Sequence, residues 1–502
     1  MLPKLNKSLI QSHKFPEDVK VTTPAARPEK ILQFGEGGFL RGFVDWMINR
    51  LNSQGLFNGN IVVIQPIPQG MTQQLSAQDN LYTLILRGVQ AGKTVEKKEI
   101  VSCISRSLNP YTQYDDYLAC ARNPELRVIV SNTTEAGIVF RAEDKLEDKP
   151  PVSYPAKLTQ FLYERFRTNG ESNAKGFIIL PCELIERNGD NLKKCALQTA
   201  ENWNLPQPFI TWLTAQNEFG NTLVDRIVTG YPKDEASGIF EKLGYQDDML
   251  DTGEIFHFWV IEASKKCAEE LPFTQVGLDV VWTDNMTPYR DRKVRILNGA
   301  HTMTVLAAYL AGKDTVGECM HEEPIRTFMQ RGIYDEIIPT LDLPKQDLES
   351  FAAAVTERFS NPFIKHYLLS IALNSTSKFK ARILPSIKQY VQRKGQLPPR
   401  LTFSLAALIA FYRGTEIKNN ALIGHRDGKE YLIQDSPAAL ELFRSAWASF
   451  DGNETALVNR ILSSRELWDE DLTTIPALTE TVSRQLHEIL ANGIPAAMTR
   501  CV

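Results

Sequence analysis

Two clusters in this 502-residue chain combine side-chain types and spacings that can do chemistry. The first follows the apolar run Ile31-Leu32-Gln33-Phe34, where Gly35-Glu36-Gly37-Gly38 leads into a helix-like segment from Phe39 to Leu51. A glycine turn between a strand and a helix lets the backbone approach a pyrophosphate, and the helix start supplies N–H donors and a favourable dipole. Gly35 and Gly37 fill the first two glycine positions of the dinucleotide fingerprint, but the third is Leu40, so a plain tight turn is an equal reading. Arg41 stands where it could reach a phosphate or simply be solvated.

The second cluster is Lys293-Val-Arg-Ile-Leu-Asn298-Gly-Ala-His301, after the helix start Thr287-Pro288. At about 100° per residue, Asn298 falls about 140° and His301 about 80° from Lys293, one broad arc of a helix. Reduction of a carbonyl by a nicotinamide needs a hydride donor and a proton donor, and a lysine tuned by burial toward a pKa of ~7–8 can give the proton. The alternatives are a solvated lysine and a histidine of the core.

These clusters need elements to position them. A second apolar run, Ile61-Val62-Val63-Ile64, ends at Gln65-Pro66, and further runs at Val128-Ile129-Val130 and Phe177-Ile178-Ile179-Leu180 are each followed by a polar loop. Continuous apolar strands alternating with helices predict a Rossmann-like, doubly wound parallel sheet with its ligand at the strands' C-terminal ends. Gln65 then stands where an acidic residue normally meets the adenosine ribose. Glutamine can bond a 2′-hydroxyl but lacks the charge that repels a 2′-phosphate, which leaves NAD against NADP open. After about residue 285 the patterns are helical, including Glu349 to Phe359, Leu401 to Tyr412 and Ala438 to Phe450. The expected architecture is an α/β cofactor-binding domain over residues 1–285 and a mostly α-helical substrate and catalytic domain over 286–502.

Composition narrows the function classes. Lys plus Arg number 56 against 60 Asp plus Glu, a net charge of −4, which argues against a broad nucleic-acid surface. The seven cysteines (Cys103, Cys120, Cys182, Cys195, Cys267, Cys319, Cys501) are scattered, without the spacing of a disulfide framework or a zinc site. The N-terminal MLPKLNKSLIQSHKF lacks the apolar core of a secretory signal, and Leu401 to Tyr412 is too short for a membrane span, so no membrane association and a cytoplasmic location are expected.

The segments Ile31-Leu-Gln-Phe-Gly-Glu-Gly-Gly-Phe-Leu-Arg-Gly-Phe43, Ser131-Asn-Thr-Thr-Glu135, Leu223-Val-Asp-Arg-Ile227, Lys293-x4-Asn-x2-His301 and Arg358-Phe-Ser-Asn-Pro-Phe-Ile364 occur in the order seen in the mannitol dehydrogenase family of long-chain polyol dehydrogenases. The chain resembles that family over about residues 28 to 490. Cys182-Glu-Leu-Ile-Glu-Arg-Asn-Gly189, Val224-Asp-Arg-Ile-Val-Thr-Gly-Tyr-Pro232 and Ser370-Ile-Ala-Leu-Asn374 are most similar to the members that reduce D-tagaturonate to D-altronate in hexuronate catabolism.

The resemblance implies a zinc-independent oxidoreductase that uses NAD and acts on a small sugar acid. Fructuronate and mannitol 2-dehydrogenase activities are the alternatives within the family, and the oligomeric state stays open. By motif position it implies Lys293 as general acid/base, Asn298 and His301 as substrate ligands, and Asp225 as an aid to proton passage, where a plain ion pair or cap is the other reading. Cofactor contacts carry over to Gln33, Phe34, Gly35, Glu36, Gly37, Gly38, Phe39, Leu40, Arg41, Gln65, Asn132 and Thr133.

Two departures stand out. Many members have Cys-Asp-Asn where this chain has Cys182-Glu183-Leu184, so an oxyanion donor worth ~2.7–4 kcal/mol must be replaced, with Asn298 the candidate. Ser370 stands where polyol enzymes tend to carry arginine, so the substrate carboxylate needs another cation: Lys378 first, with Lys380 and Arg382 behind it.

Overall fold

The computed structural model describes residues 2–134, 136–170 and 175–501. Glu135 of the Ser131–Glu135 motif lies outside the described residues. The chain divides into two compact units, Met1–Gln90 with Thr94–Met286, and Ala91–Lys93 with Thr287–Val502.

The first unit is built on six strands: β1 (Glu29–Phe34), β2 (Asn60–Ile64), β3 (Ile104–Leu108), β4 (Val128–Ser131), β5 (Ile178–Pro181) and β6 (Glu218–Phe219). They lie in the spatial order 3-2-1-4-5-6 and every pairing is parallel. This is the Rossmann arrangement, and its apolar strands are continuous because both faces are covered. Alternation along each strand splits the core in two. Ile31, Val63, Val128 and Ile178 pack against Phe43, Met47 and Leu51 of helix α1 (residues 38–53). Leu32, Phe34, Val62 and Ile129 pack instead against Leu158, Phe161 and Leu162 of α2 (Tyr154–Asn169) and Leu192 of α3 (Asn188–Asn202). Helix α2 starts where the sequence allows it: the Ser153 hydroxyl accepts the Ala156 N–H, Pro155 occupies the first turn, and Gly170 follows at φ 75°.

Two further sheets, not evident in the sequence, complete this unit. Five strands (Val19–Val21, Lys93–Val101, Tyr82–Gln90, Asp251–Glu254, Val228–Gly230) form one, and Asn221–Asp225, Phe258–Glu262 and Val280–Thr283 form the other. The second unit is mostly helical, with a three-stranded sheet of Ile417–Lys418, Ala421–Arg426 and Lys429–Ile433. No helix among the described residues is long and apolar enough to cross a membrane.

Helix α1 is held to its surroundings by buried charge. Its second turn, Arg41–Asp45, is π-helical, and the carbonyls of Arg41 and Gly42 accept bonds from outside the helix there: Tyr82 Oη donates to Arg41 O at 2.7 Å and Arg226 Nη1 to Gly42 O at 2.6 Å. Arg226 also donates to Phe256 O and Ile255 O, each at 3.0 Å, and stacks over Trp46 at 4.2 Å. Burial lowers its pKa to about 9. Asp45, fully buried beside Gln33 and Tyr82, is pushed up to about 7 by burial.

In the unfolded chain Asp45 titrates near 3.8, so from about pH 4 to about pH 7 the folded state binds more protons than the unfolded state, and stability falls as pH rises through that window. Scanning calorimetry of the wild-type protein and D45N at pH 5 and pH 8 checks this. The wild type should lose roughly 2 kcal/mol more than D45N on going to pH 8, and an identical pH dependence in the variant contradicts it.

Candidate active site

At the end of β1 the chain turns sharply. Gly35 has φ +122°, and a Cβ there would sit 3.0 Å from the Asn132 carbonyl oxygen, so only glycine fits. Gly37 is exposed with open space around it, and it begins α1 without any side chain capping the first-turn amides. Free amides at a helix start beside an uncrowded glycine make a cradle of the size and polarity that a diphosphate needs. Gly35, Gly37 and Gly38 therefore fit a dinucleotide through the backbone.

Several side chains expected at the cofactor are turned away from it. Gln33, Phe34 and Leu40 are buried: Gln33 Nε2 donates to Gly35 O at 3.0 Å, and Phe34 packs on Tyr117 and Tyr154. Only the backbone of this stretch faces the turn. Phe39 stacks on Phe43 at 5.1 Å. Arg41 does not extend toward a phosphate. Its guanidinium points inward, donating to Glu36 O at 3.1 Å and Met249 O at 2.5 Å, with Asp251 at 3.8 Å. Burial raises Asp251 to about 6, and its carboxylate stands 3.1 Å from where a Gly38 Cβ would be.

Gln65 is likewise occupied. Its Nε2 donates to Ile67 O at 2.9 Å and Pro68 O at 3.0 Å, and its Oε1 accepts from Thr72 Oγ1 at 2.8 Å. The amide organises its own loop and has no donor left for a ribose. Glu36 Oε1 accepts the Met71 N–H at 3.1 Å, and burial raises its pKa against that bond.

The loops after β4 and β5 are buckled together at the same end of the sheet. Glu183 accepts from Ser131 Oγ at 3.1 Å and from Thr133 N and Oγ1 at 3.0 Å each, while Asn132 Nδ2 donates to Cys182 O at 2.8 Å. Burial raises the Glu183 pKa, opposed by those donors. Glu183, in the sequence a departure from Cys-Asp-Asn, sets the shape of the Asn132–Thr133 loop. Leu184 beside it is 63% exposed. Asp225 is buried at the end of strand Asn221–Asp225, opposite Phe258. Arg226 is committed to helix α1, as described above.

In the second unit the helix α4 (residues 287–310) is regular at Thr287–Arg292 and Gly299–Leu310, but Lys293–Asn298 between them is π-helical. The Gly299 N–H reaches back five residues to Val294 O. Residues five apart stack in such a turn, so Lys293 and Asn298 share a face and are not 140° apart as a uniform helix would have them. Both are half-buried, whereas Ile296, Leu297 and Ala300 point into the core.

His301, one turn on, stacks on Phe359 at 4.2 Å and meets His366 edge-on at 5.1 Å. Its Nε2 is buried with no hydrogen-bond partner among the described residues. Burial first, then the charges of His366, Arg358, Arg382 and Lys378, drive its pKa well below 6.5, so the ring is neutral. A neutral imidazole with one open nitrogen can hold a substrate oxygen.

Arg358, Arg382 and Lys378 mark a positive region suited to a carboxylate. Arg382 Nη1 donates to Thr302 Oγ1 at 3.3 Å, and Lys378 Nζ donates to Ile371 O at 2.8 Å; burial lowers the pKa of both. Lys380 is paired with Asp469 at 2.8 Å instead. Arg358 and Phe359 open the last of the five family motifs. Here they supply a cation and a ring beside His301. Among the described residues no group of three or more His, Cys, Asp or Glu side chains could hold a metal ion.

The chain is similar in sequence and fold to several known proteins. Residues 29–275 match the Mannitol dehydrogenase Rossmann domain model and residues 285–490 the Mannitol dehydrogenase C-terminal domain model. Altronate oxidoreductase of Yersinia pestis (biovar Antiqua, strain Nepal516) is 49% identical over 477 residues, 94% of this chain and 97% of that protein. The Shigella flexneri altronate oxidoreductase is 48% identical over 478 residues, with the same shares covered. Among solved structures, a substrate-free D-sorbitol dehydrogenase superposes with a TM-score of 0.81 at 20% identity, over 99% of this chain and 100% of that one. Pseudomonas fluorescens mannitol 2-dehydrogenase, in ternary complex with NAD and D-mannitol, gives 0.68 at 21% identity over 99% of each chain. With both domain models matched in order, and a Rossmann unit followed by a helical unit that carries the lysine motif, this chain belongs to the mannitol dehydrogenase family.

Proposed function

We propose that this protein is an NAD-dependent oxidoreductase that interconverts D-tagaturonate and D-altronate in hexuronate catabolism. The observation that carries the chemistry is the shared face of Lys293 and Asn298 with the open, neutral His301 one turn away. The cation set of Arg358, Arg382 and Lys378 around that histidine suits a substrate with a carboxylate, and the altronate oxidoreductase relatives support the choice of sugar acid.

The first unit would hold the cofactor at Gly35, Gly37 and Gly38, with the Glu183 buckle shaping the Asn132–Thr133 wall. When bound there, NADH would supply the hydride for the substrate's keto carbon. Lys293 delivers a proton to the oxygen that becomes the alcohol, and takes it back in the oxidation direction. Asn298 donates a hydrogen bond to that oxygen in place of the donor missing at Leu184, and His301 Nε2 holds a neighbouring hydroxyl. Arg382 and Lys378 receive the carboxylate. By its place in the family motif Asp225 is the candidate aid to proton passage.

Turnover should drop about 10²–10⁴-fold in K293A, the range for loss of a general acid, while calorimetric NADH binding persists. Near-normal turnover excludes Lys293 from the chemistry, and lost NADH binding would assign it a structural role. Because His301 is already neutral, the shape of the pH–rate profile from pH 6 to pH 8 should be the same in H301Q as in the wild type, with a lower rate throughout. Replacing Arg382 by methionine should raise KM for tagaturonate about tenfold or more with a smaller change in kcat; steady-state kinetics showing a pure kcat effect would remove it from the carboxylate site.

A further inference from the structure

In doubly wound sheets the adenosine ribose lies at the end of the second strand, where a carboxylate bonds the 2′-hydroxyl and repels a 2′-phosphate. Here that position is Gln65, which is uncharged and whose amide is spent on Ile67, Pro68 and Thr72. A carboxylate nevertheless reaches the same place from a different element. Glu36, between the glycines of the turn, lies against the 65–71 loop, with Met71 N–H donating to its Oε1 at 3.1 Å. A Cβ on Gly70 would overlap both Glu36 Oε1 and the Gln65 amide, so the two side chains meet at Gly70.

Glu36 is only 6% exposed, which keeps its field weakly screened. Arg41, whose charge bears on it, is shared with Asp251 and with two carbonyls. We infer that Glu36, rather than the residue ending β2, makes this site reject the 2′-phosphate of NADP(H). That phosphate brings a charge of ~−1.5 to −2 near neutral pH, and with Gln65 engaged nothing on that loop stands ready to neutralise it. The inference rests on the cofactor reading above.

The test is calorimetric titration of the purified protein with NADH and with NADPH, in the wild type, E36Q and E36D. Glutamine keeps an acceptor for the Met71 N–H and removes only the charge. The ratio of Kd for NADPH to Kd for NADH should fall at least about tenfold in E36Q and stay near the wild-type value in E36D. An unchanged ratio in E36Q overturns the assignment to Glu36. Should E36Q not fold, competition against NADH in the wild type still decides where rejection occurs: 5′-AMP should compete far better than adenosine 2′,5′-bisphosphate, and equal competition overturns the inference. A wild type that binds neither NADH nor NADPH would instead overturn the cofactor reading.

Discussion

One extra residue in a helical turn aims the side chains proposed for chemistry. Between two regular stretches of α4, the π-helical turn Lys293–Asn298 brings the proposed proton donor Lys293 and the Asn298 amide onto one face while Ile296 and Leu297 keep the helix anchored in the core. Such a turn is a poorer helix than its neighbours and persists where packing imposes it. The backbone around Arg382 and the side chain of Ile383 approach Gly299 to 3.7 and 3.6 Å of where a Cβ would be, so the element carrying the candidate cations packs directly on the turn's end. Position of the lysine and position of the cations are thus fixed by the same packing.

The first unit uses a related device. The π turn Arg41–Asp45 follows directly on the glycine turn, and buried guanidinium and phenol groups bind its outer carbonyls. Burying Arg41 and Arg226 is costly unless every donor is met. Here backbone carbonyls far apart in sequence, of Gly42, Met249, Ile255 and Phe256, meet them. The helix start is therefore rigid before any ligand arrives, which is what a backbone cradle for a diphosphate requires.

The parallel sheet was legible in the sequence because strands covered on both faces are continuous apolar runs, and β1, β2, β4 and β5 coincide with those runs. The glycine turn and the long helix after Thr287 were legible for similar local reasons. What escaped were features whose partners are distant. Arg41 reads as a solvated or phosphate-seeking charge until Met249 and Asp251 are in view, and Gln65 reads as a ribose ligand until Thr72 and its own loop occupy it. A 100° periodicity has no means of marking a π turn, so it sets Lys293 and Asn298 too far apart. Glu183, Arg358 and Phe359 were visible as letters of a motif, but their work depends on loops and helices that meet only in the fold.

The function proposed joins a backbone cradle for the cofactor, a lysine–asparagine–histidine face and a group of cations suited to a carboxylate. The last of these separates a sugar-acid reductase from a polyol dehydrogenase on the same fold. The most direct measurement is kcat/KM of the purified protein with NADH for D-tagaturonate against fructose, the neutral ketose. Tagaturonate should be preferred by at least about a hundredfold, since a neutral sugar offers those cations no carboxylate. An equal or greater value for fructose would contradict it.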